Sequence, residues 1–175
     1  MVAGVDVLIL QHPLETHNPK GTARLLHLSL PGSQLITGEV FAPDVLRAAL
    51  YAPDATGEPV QPVLLYPGES GVAEPAACSR SSVRFRLVVI DGTWRKSRKM
   101  LHLNPPLLAL PRCALAEVAP SRYVIRKAHA PHQLSTLEAT CAALAQLEGQ
   151  PGKYLPLLAA MDGLVAQQLA FSRAI

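Results

Sequence analysis

A chain of 175 residues, 49% of them apolar, suffices for one domain whose core needs neither metal nor disulfide. Cys78, Cys113 and Cys141 are odd in number and scattered, with no C-x-x-C pair, which excludes a zinc ribbon and dithiol chemistry and predicts buried thiols. The formal net charge of +3 conceals an asymmetry: residues 80–127 hold eleven Lys or Arg against Asp91 and Glu117, for +9, and the remainder carries −6. That pattern points to a polyanionic partner or to solvated charges scattered over several faces.

In chain order, residues 5–10 form an apolar run that reads as a buried strand and is too short for a signal peptide or membrane span, so a cytoplasmic protein is expected. A helical pattern follows over 22–30, a weaker strand over 34–37, and a second helix over 44–51 entered from Pro43. Residues 63–66 read as a strand stopped by Pro67-Gly68, and residues 85–90 as a strand leading into a helix over 93–103. Two further helices are expected over 135–148 and 154–171. The first of these opens on Ser135-Thr136-Leu137-Glu138, which has the form of a capping box.

Strands that are apolar throughout are covered on both faces, so the class is α/β, a mainly parallel sheet with helices on both faces. No Gly/Ser linker or internal repeat divides the chain, and one unit over 1–175 is expected. Ligands of such sheets bind beyond the carboxyl ends of the strands. That rule selects the turn after residue 65, the turn Asp91-Gly92-Thr93-Trp94, and the stretch 120–136.

Several chemistries lack their motifs. There is no G-x-G-x-x-G after the first strand, no phosphate loop, no G-x-S-x-G, and no H-x-x-x-H pair among six histidines, so no metal is assigned. Asp91 follows an apolar strand directly and suits either a reacting carboxylate or a helix cap. Trp94 suits either core packing or a stacking platform. Arg95, Lys96, Arg98 and Lys99 are either a solvated helix face or a set of phosphate contacts. Ser121, Arg122, Tyr123, Arg126 and Lys127 supply hydroxyls and cations ahead of a helix start that suits an anion, or form an ordinary polar loop.

Taken together, these segments resemble the DTW-domain family, named for the motif found here as Asp91-Gly92-Thr93-Trp94. The resemblance extends from about residue 8 to 140. It includes Leu10-Gln11-His12-Pro13-Leu14-Glu15, the segment from Asn18-Pro19-Lys20-Gly21 through Thr22 and Arg24, and Leu64-Leu65-Tyr66-Pro67-Gly68. It continues through the Arg95 to Met100 run, Ser121-Arg122-Tyr123-Val124-Ile125-Arg126-Lys127, and Leu134-Ser135-Thr136-Leu137-Glu138. Many relatives carry an N-terminal cysteine cluster that this sequence lacks, and His129 stands where relatives usually have proline.

The resemblance implies a SPOUT-like fold with a C-terminal trefoil knot. It also implies transfer of the 3-amino-3-carboxypropyl group of S-adenosylmethionine, as co-substrate, to uridine N3 in tRNA, with release of methylthioadenosine and no metal. On that basis Asp91 is expected to accept the N3 proton. Tyr66, Pro67, Gly68, Thr93, Trp94, Leu134, Ser135 and Thr136 are expected to hold the donor. Thr22, Arg24, Arg95, Lys96, Arg98, Lys99, Ser121, Arg122, Tyr123, Arg126 and Lys127 are expected at RNA or the donor carboxylate. A methyltransferase of similar fold and a non-enzymatic RNA-binding module are the alternatives.

Overall fold

A computed structural model describes residues 4–19, 21–67, 84–116 and 134–173. Its centre is a five-stranded sheet in the order β2-β1-β4-β3-β5, every neighbouring pair parallel. The strands are β1 (Asp6–Gln11), β2 (Gln34–Thr37), β3 (Val60–Leu65), β4 (Arg84–Asp91) and β5 (Arg112–Cys113). The helices are α1 (Ala23–Ser29), α2 (Pro43–Tyr51), α3 (Trp94–Leu103), α4 (Pro105–Leu108), α5 (Thr136–Glu148) and α6 (Leu155–Arg173), with a 3-10 turn at Pro13–Glu15.

Successive side chains of a strand face opposite ways, so an apolar run feeds two cores. Val7, Ile9, Val63, Leu87 and Val89 pack with α1, α5 and α6 on one face. Leu8, Leu10, Leu64 and Val88 pack with α2, α3 and α4 on the other. The α/β class and the helices on both faces are therefore as the sequence implied. Residues 117–133, within the C-terminal half to which the resemblance assigns a knot, lie outside the described residues.

The strand expected over 63–66 begins earlier, at Val60, and runs through Pro62. Leu64 donates its N–H to the Pro111 carbonyl (2.8 Å), so the nitrogen of Pro62, two residues back, faces the same side. There β5 offers no partner, since it pairs only with Leu64 and Leu65, and the missing N–H of proline costs no ladder bond.

The amino ends of the strands are tied by Arg86, a nearly buried guanidinium in β4. It donates to the carbonyls of Ala49 (2.9 Å) and Leu50 (3.3 Å) at the end of α2 and pairs with Asp6 Oδ2 (2.9 Å). A cation at a helix C-terminus also meets the negative end of the helix dipole. At the same end of β1, Glu148 accepts from Gly4 N (2.6 Å), Lys153 Nζ (2.6 Å) and the buried Tyr154 hydroxyl (2.9 Å). Burial, then that hydrogen bond, pushes the tyrosine's pKa up.

The capping box forms as expected: Ser135 Oγ accepts from Glu138 N (3.2 Å) and Glu138 Oε2 accepts from Ser135 N (2.8 Å). Gly149 ends α5 in the left-handed conformation, at φ 63°. Cys113 and Cys141 are buried, as expected, and burial pushes the Cys141 thiol up to about 12; Cys78 lies outside the described residues.

Both kinds of anchor are measurable by unfolding in urea. Arg86→Leu strands Asp6 and two helix-end carbonyls and lowers the unfolding free energy by about 2–3 kcal/mol; a loss within error of zero would refute the anchoring role. Ser135→Ala costs about 1 kcal/mol in the same measurement, and an unchanged midpoint would show that the cap contributes nothing.

Candidate active site at the carboxyl ends of β1 and β4

After β1 the chain turns outward to β2, and after β4 it crosses to the other side of the sheet to form β5. The crevice of a parallel sheet opens where connections diverge in this way. Gln11 and Asp91 are the last residues of these two strands and lie opposite one another in register. Odd positions of both strands face α5, so their side chains share that face.

Asp91 is 6% exposed, and both its oxygens are engaged: Gln11 Nε2 donates to Oδ2 (3.0 Å) and Thr136 Oγ1 to Oδ1 (2.6 Å). Each carboxylate oxygen still has room for a second hydrogen bond. Asp91 does not cap α3. Thr93 is the N-cap, its side chain accepting from Lys96 N (3.4 Å). Thr22, also buried, accepts from Leu137 N (3.2 Å) and fastens the approach to α1 to the first turn of α5. Thus Thr22, Asp91, Ser135 and Thr136 come together from three distant stretches of chain.

Trp94 is 48% exposed and not a core residue. It meets the half-buried Tyr66 edge to face, ring centroids 5.7 Å apart at 72°, and Arg112 Cζ lies over the Tyr66 ring at 5.0 Å. An aromatic pair left open to solvent at strand ends suits a planar ring as ligand. Pro67 is exposed and Leu134 is half-buried at the entry to α5. Gly68, Ser121, Arg122, Tyr123, Arg126 and Lys127 lie outside the described residues.

The cations of α3 divide into two kinds. Lys96 is bound by Glu15 (2.7 Å) and Lys99 by Glu39 (3.0 Å). Arg95 and Arg98 are exposed and have no carboxylate partner among the described residues, and Arg24 on α1 is likewise exposed. Glu39 also pairs with His12, whose Nδ1 accepts from Leu14 N (3.1 Å), leaving Nε2 as the protonated nitrogen that donates to Glu39 Oε1 (3.0 Å). The hydrogen bonds from Lys99 and then His12 hold the Glu39 carboxyl below the usual carboxylate range. Asn104 closes this side, accepting from Phe41 N and donating to the carbonyls of Glu39 and Met100.

Sequence reasoning gave no site role to Gln11, Glu39 or Arg112. Gln11 had a usable signal, being polar at the end of an apolar strand as Asp91 is. Glu39 and Arg112 had none, because their partners are remote in sequence. Among the described residues no group of histidines, cysteines and carboxylates is arranged to hold a metal ion.

Known proteins share this chain's pattern over most of its length. The family model described as DTW domain matches residues 1–169. A protein of Drosophila melanogaster named tRNA-uridine aminocarboxypropyltransferase 2 is 33% identical over 166 residues, covering 94% of this chain and 64% of that protein. One of the same name from Mus musculus is 30% identical over 167 residues, covering 92% and 54% respectively. This chain therefore spans between half and two thirds of the length of these curated relatives. No solved structure matches it. The Asp91-Gly92-Thr93-Trp94 turn at the end of β4 carries the residues for which the family is named, and the chain belongs to the DTW domain family.

Proposed function

We propose that this chain is a tRNA-uridine aminocarboxypropyltransferase, moving the 3-amino-3-carboxypropyl group of S-adenosylmethionine to uridine N3. The observation that carries the reading is the buried Asp91 carboxylate, fixed by Gln11 and Thr136 in the turn that also carries Trp94 of the open Tyr66–Trp94 pair. The names of the two relatives point to the same reaction. The residues suit such a donor: the aromatic pair offers a surface for its adenine, and nearby arginines suit its carboxylate.

The reaction forms an N3–Cγ bond and breaks the Cγ–S bond, with the electron pair leaving on sulfur as methylthioadenosine. The N3 proton goes to Asp91, whose carboxylate supports attack by a weakly acidic N–H. The sulfonium is already an activated leaving group, so the remaining work of the protein is alignment. Gln11 and Thr136 orient the carboxylate, and Thr93 with Leu134 and Ser135 shapes the donor side. Arg95, Arg98 and Arg24 are the exposed cations suited to tRNA phosphates, joined in this reading by Arg122, Arg126 and Lys127. Lys96 and Lys99 serve chiefly to hold Glu15 and Glu39. No metal takes part in this scheme.

Intact mass of tRNA incubated with protein and donor tests the reaction: a gain of one aminocarboxypropyl group is expected, a gain of one methyl group would make it a methyltransferase, and no gain would leave RNA binding alone. Asp91→Asn keeps the size of the side chain and can still bond Gln11 and Thr136, so we predict an intact fold with transfer slowed about 10²–10⁴-fold. A wild-type rate in the folded variant would remove Asp91 from the chemistry. Arg95→Gln and Arg98→Gln should each weaken tRNA binding and reduce the slope of log affinity against log salt by roughly one. An unchanged slope in both would place the RNA elsewhere.

A further inference from the structure

Arg112 belongs to no motif that the sequence offered, yet it stands at the aromatic pair. It opens β5, in register with Leu64, two residues before Tyr66. Its guanidinium is half-buried over the Tyr66 ring, at 5.0 Å from the centroid, while Trp94 meets that ring at an angle of 72°. Arg84, Arg86, Lys96 and Lys99 all have carboxylate partners; Arg112 has none among the described residues. A cation held over a ring donates none of its N–H groups to it, so the planar fork of Arg112 remains open to an anion with two oxygens.

We propose that Arg112 is a specificity residue that binds the amino-acid carboxylate of the donor. The assignment rests on the function proposed above and deepens it. Tetrahedral phosphates on a large RNA are best met by exposed side chains, as Arg24, Arg95 and Arg98 are. A half-buried fork beside an aromatic pair suits a small ligand with a ring at one end and a carboxylate at the other. The carboxylate also lies on the arm that is transferred. Fixing it constrains the Cγ of that arm relative to the acceptor nitrogen, and so selects one of the three carbons bonded to sulfur. The methyl carbon has no such handle.

Calorimetric titration of the full chain with S-adenosylmethionine and with methylthioadenosine, which lacks the arm, tests this. In Arg112→Gln the affinity for the donor should fall about 10–100-fold while that for methylthioadenosine stays within twofold of wild type. Arg112→Lys, which keeps the charge without the fork, should fall between. The emission of Trp94, the only tryptophan in the chain, should match wild type in both unliganded variants and so report an undisturbed aromatic pair. Equal weakening of both ligands would reduce Arg112 to packing against Tyr66 and overturn the proposal. Weakened tRNA binding with donor binding intact would make it a phosphate contact and also overturn it. A wild-type chain that binds neither nucleoside would overturn the donor reading itself, and this assignment with it.

Discussion

The hydrogen bonds that Gln11 and Thr136 make to Asp91 connect the parts of this molecule that sequence keeps apart. One joins the ends of two neighbouring strands. The other brings in a helix that begins 45 residues later. A carboxylate buried with fewer bonds would be costly, and here each oxygen has a donor. The backbone bond from His12 N to the Asp91 carbonyl (2.9 Å) extends the pairing of β1 and β4 one step beyond the strands. Thr22 and the capping box then set the first turn of α5 in place, so the position of Thr136 is determined by several independent contacts.

Charge in this protein has two uses, which composition alone cannot separate. Within the basic middle region, Arg84, Arg86, Lys96 and Lys99 meet acids from the acidic flanks: Asp54, Asp6, Glu15 and Glu39. The excess of +9 over that stretch is therefore partly the complement of the −6 elsewhere, and it overstates what is offered to a partner. Arg95, Arg98 and Arg112 are what remains among the described residues. That they gather near the carboxyl ends of the strands, while Arg86 lies buried at the amino end, gives the sheet a structural end and a chemical end.

Much of the fold was legible because apolar runs and capping residues act locally. The strand over Gln34–Thr37 and the start of α5 came out as read, and the other strands and long helices within a few residues. The short elements were not legible. Arg112–Cys113 has too few residues to show a period, and the helix Pro105–Leu108 opens on two prolines that ordinarily mark a break. The amino half of β3 was hidden by Pro62, since a proline inside a strand is acceptable only at an edge, and edges are a property of the assembled sheet. The site was legible as motifs and not as geometry. Asp91 and Thr93 were both plausible caps, and only the register of β1 against β4 shows why the cap falls to Thr93, since Asp91 is already held by Gln11. Arg86 reads as one more exposed cation until its partners at the end of α2 are seen.

Pro62 also decides how the amino half of β3 is covered. An uncovered edge of a parallel sheet presents a row of N–H and C=O groups to which another extended chain can add. At the amino half of β3, beyond the reach of β5, the donor of that row is missing, because proline occupies the position. The proline is buried, so whatever covers that side meets it by side-chain packing and needs no ladder bond from this position. The residue that made the strand hard to read thus turns a strand-pairing position into an apolar contact.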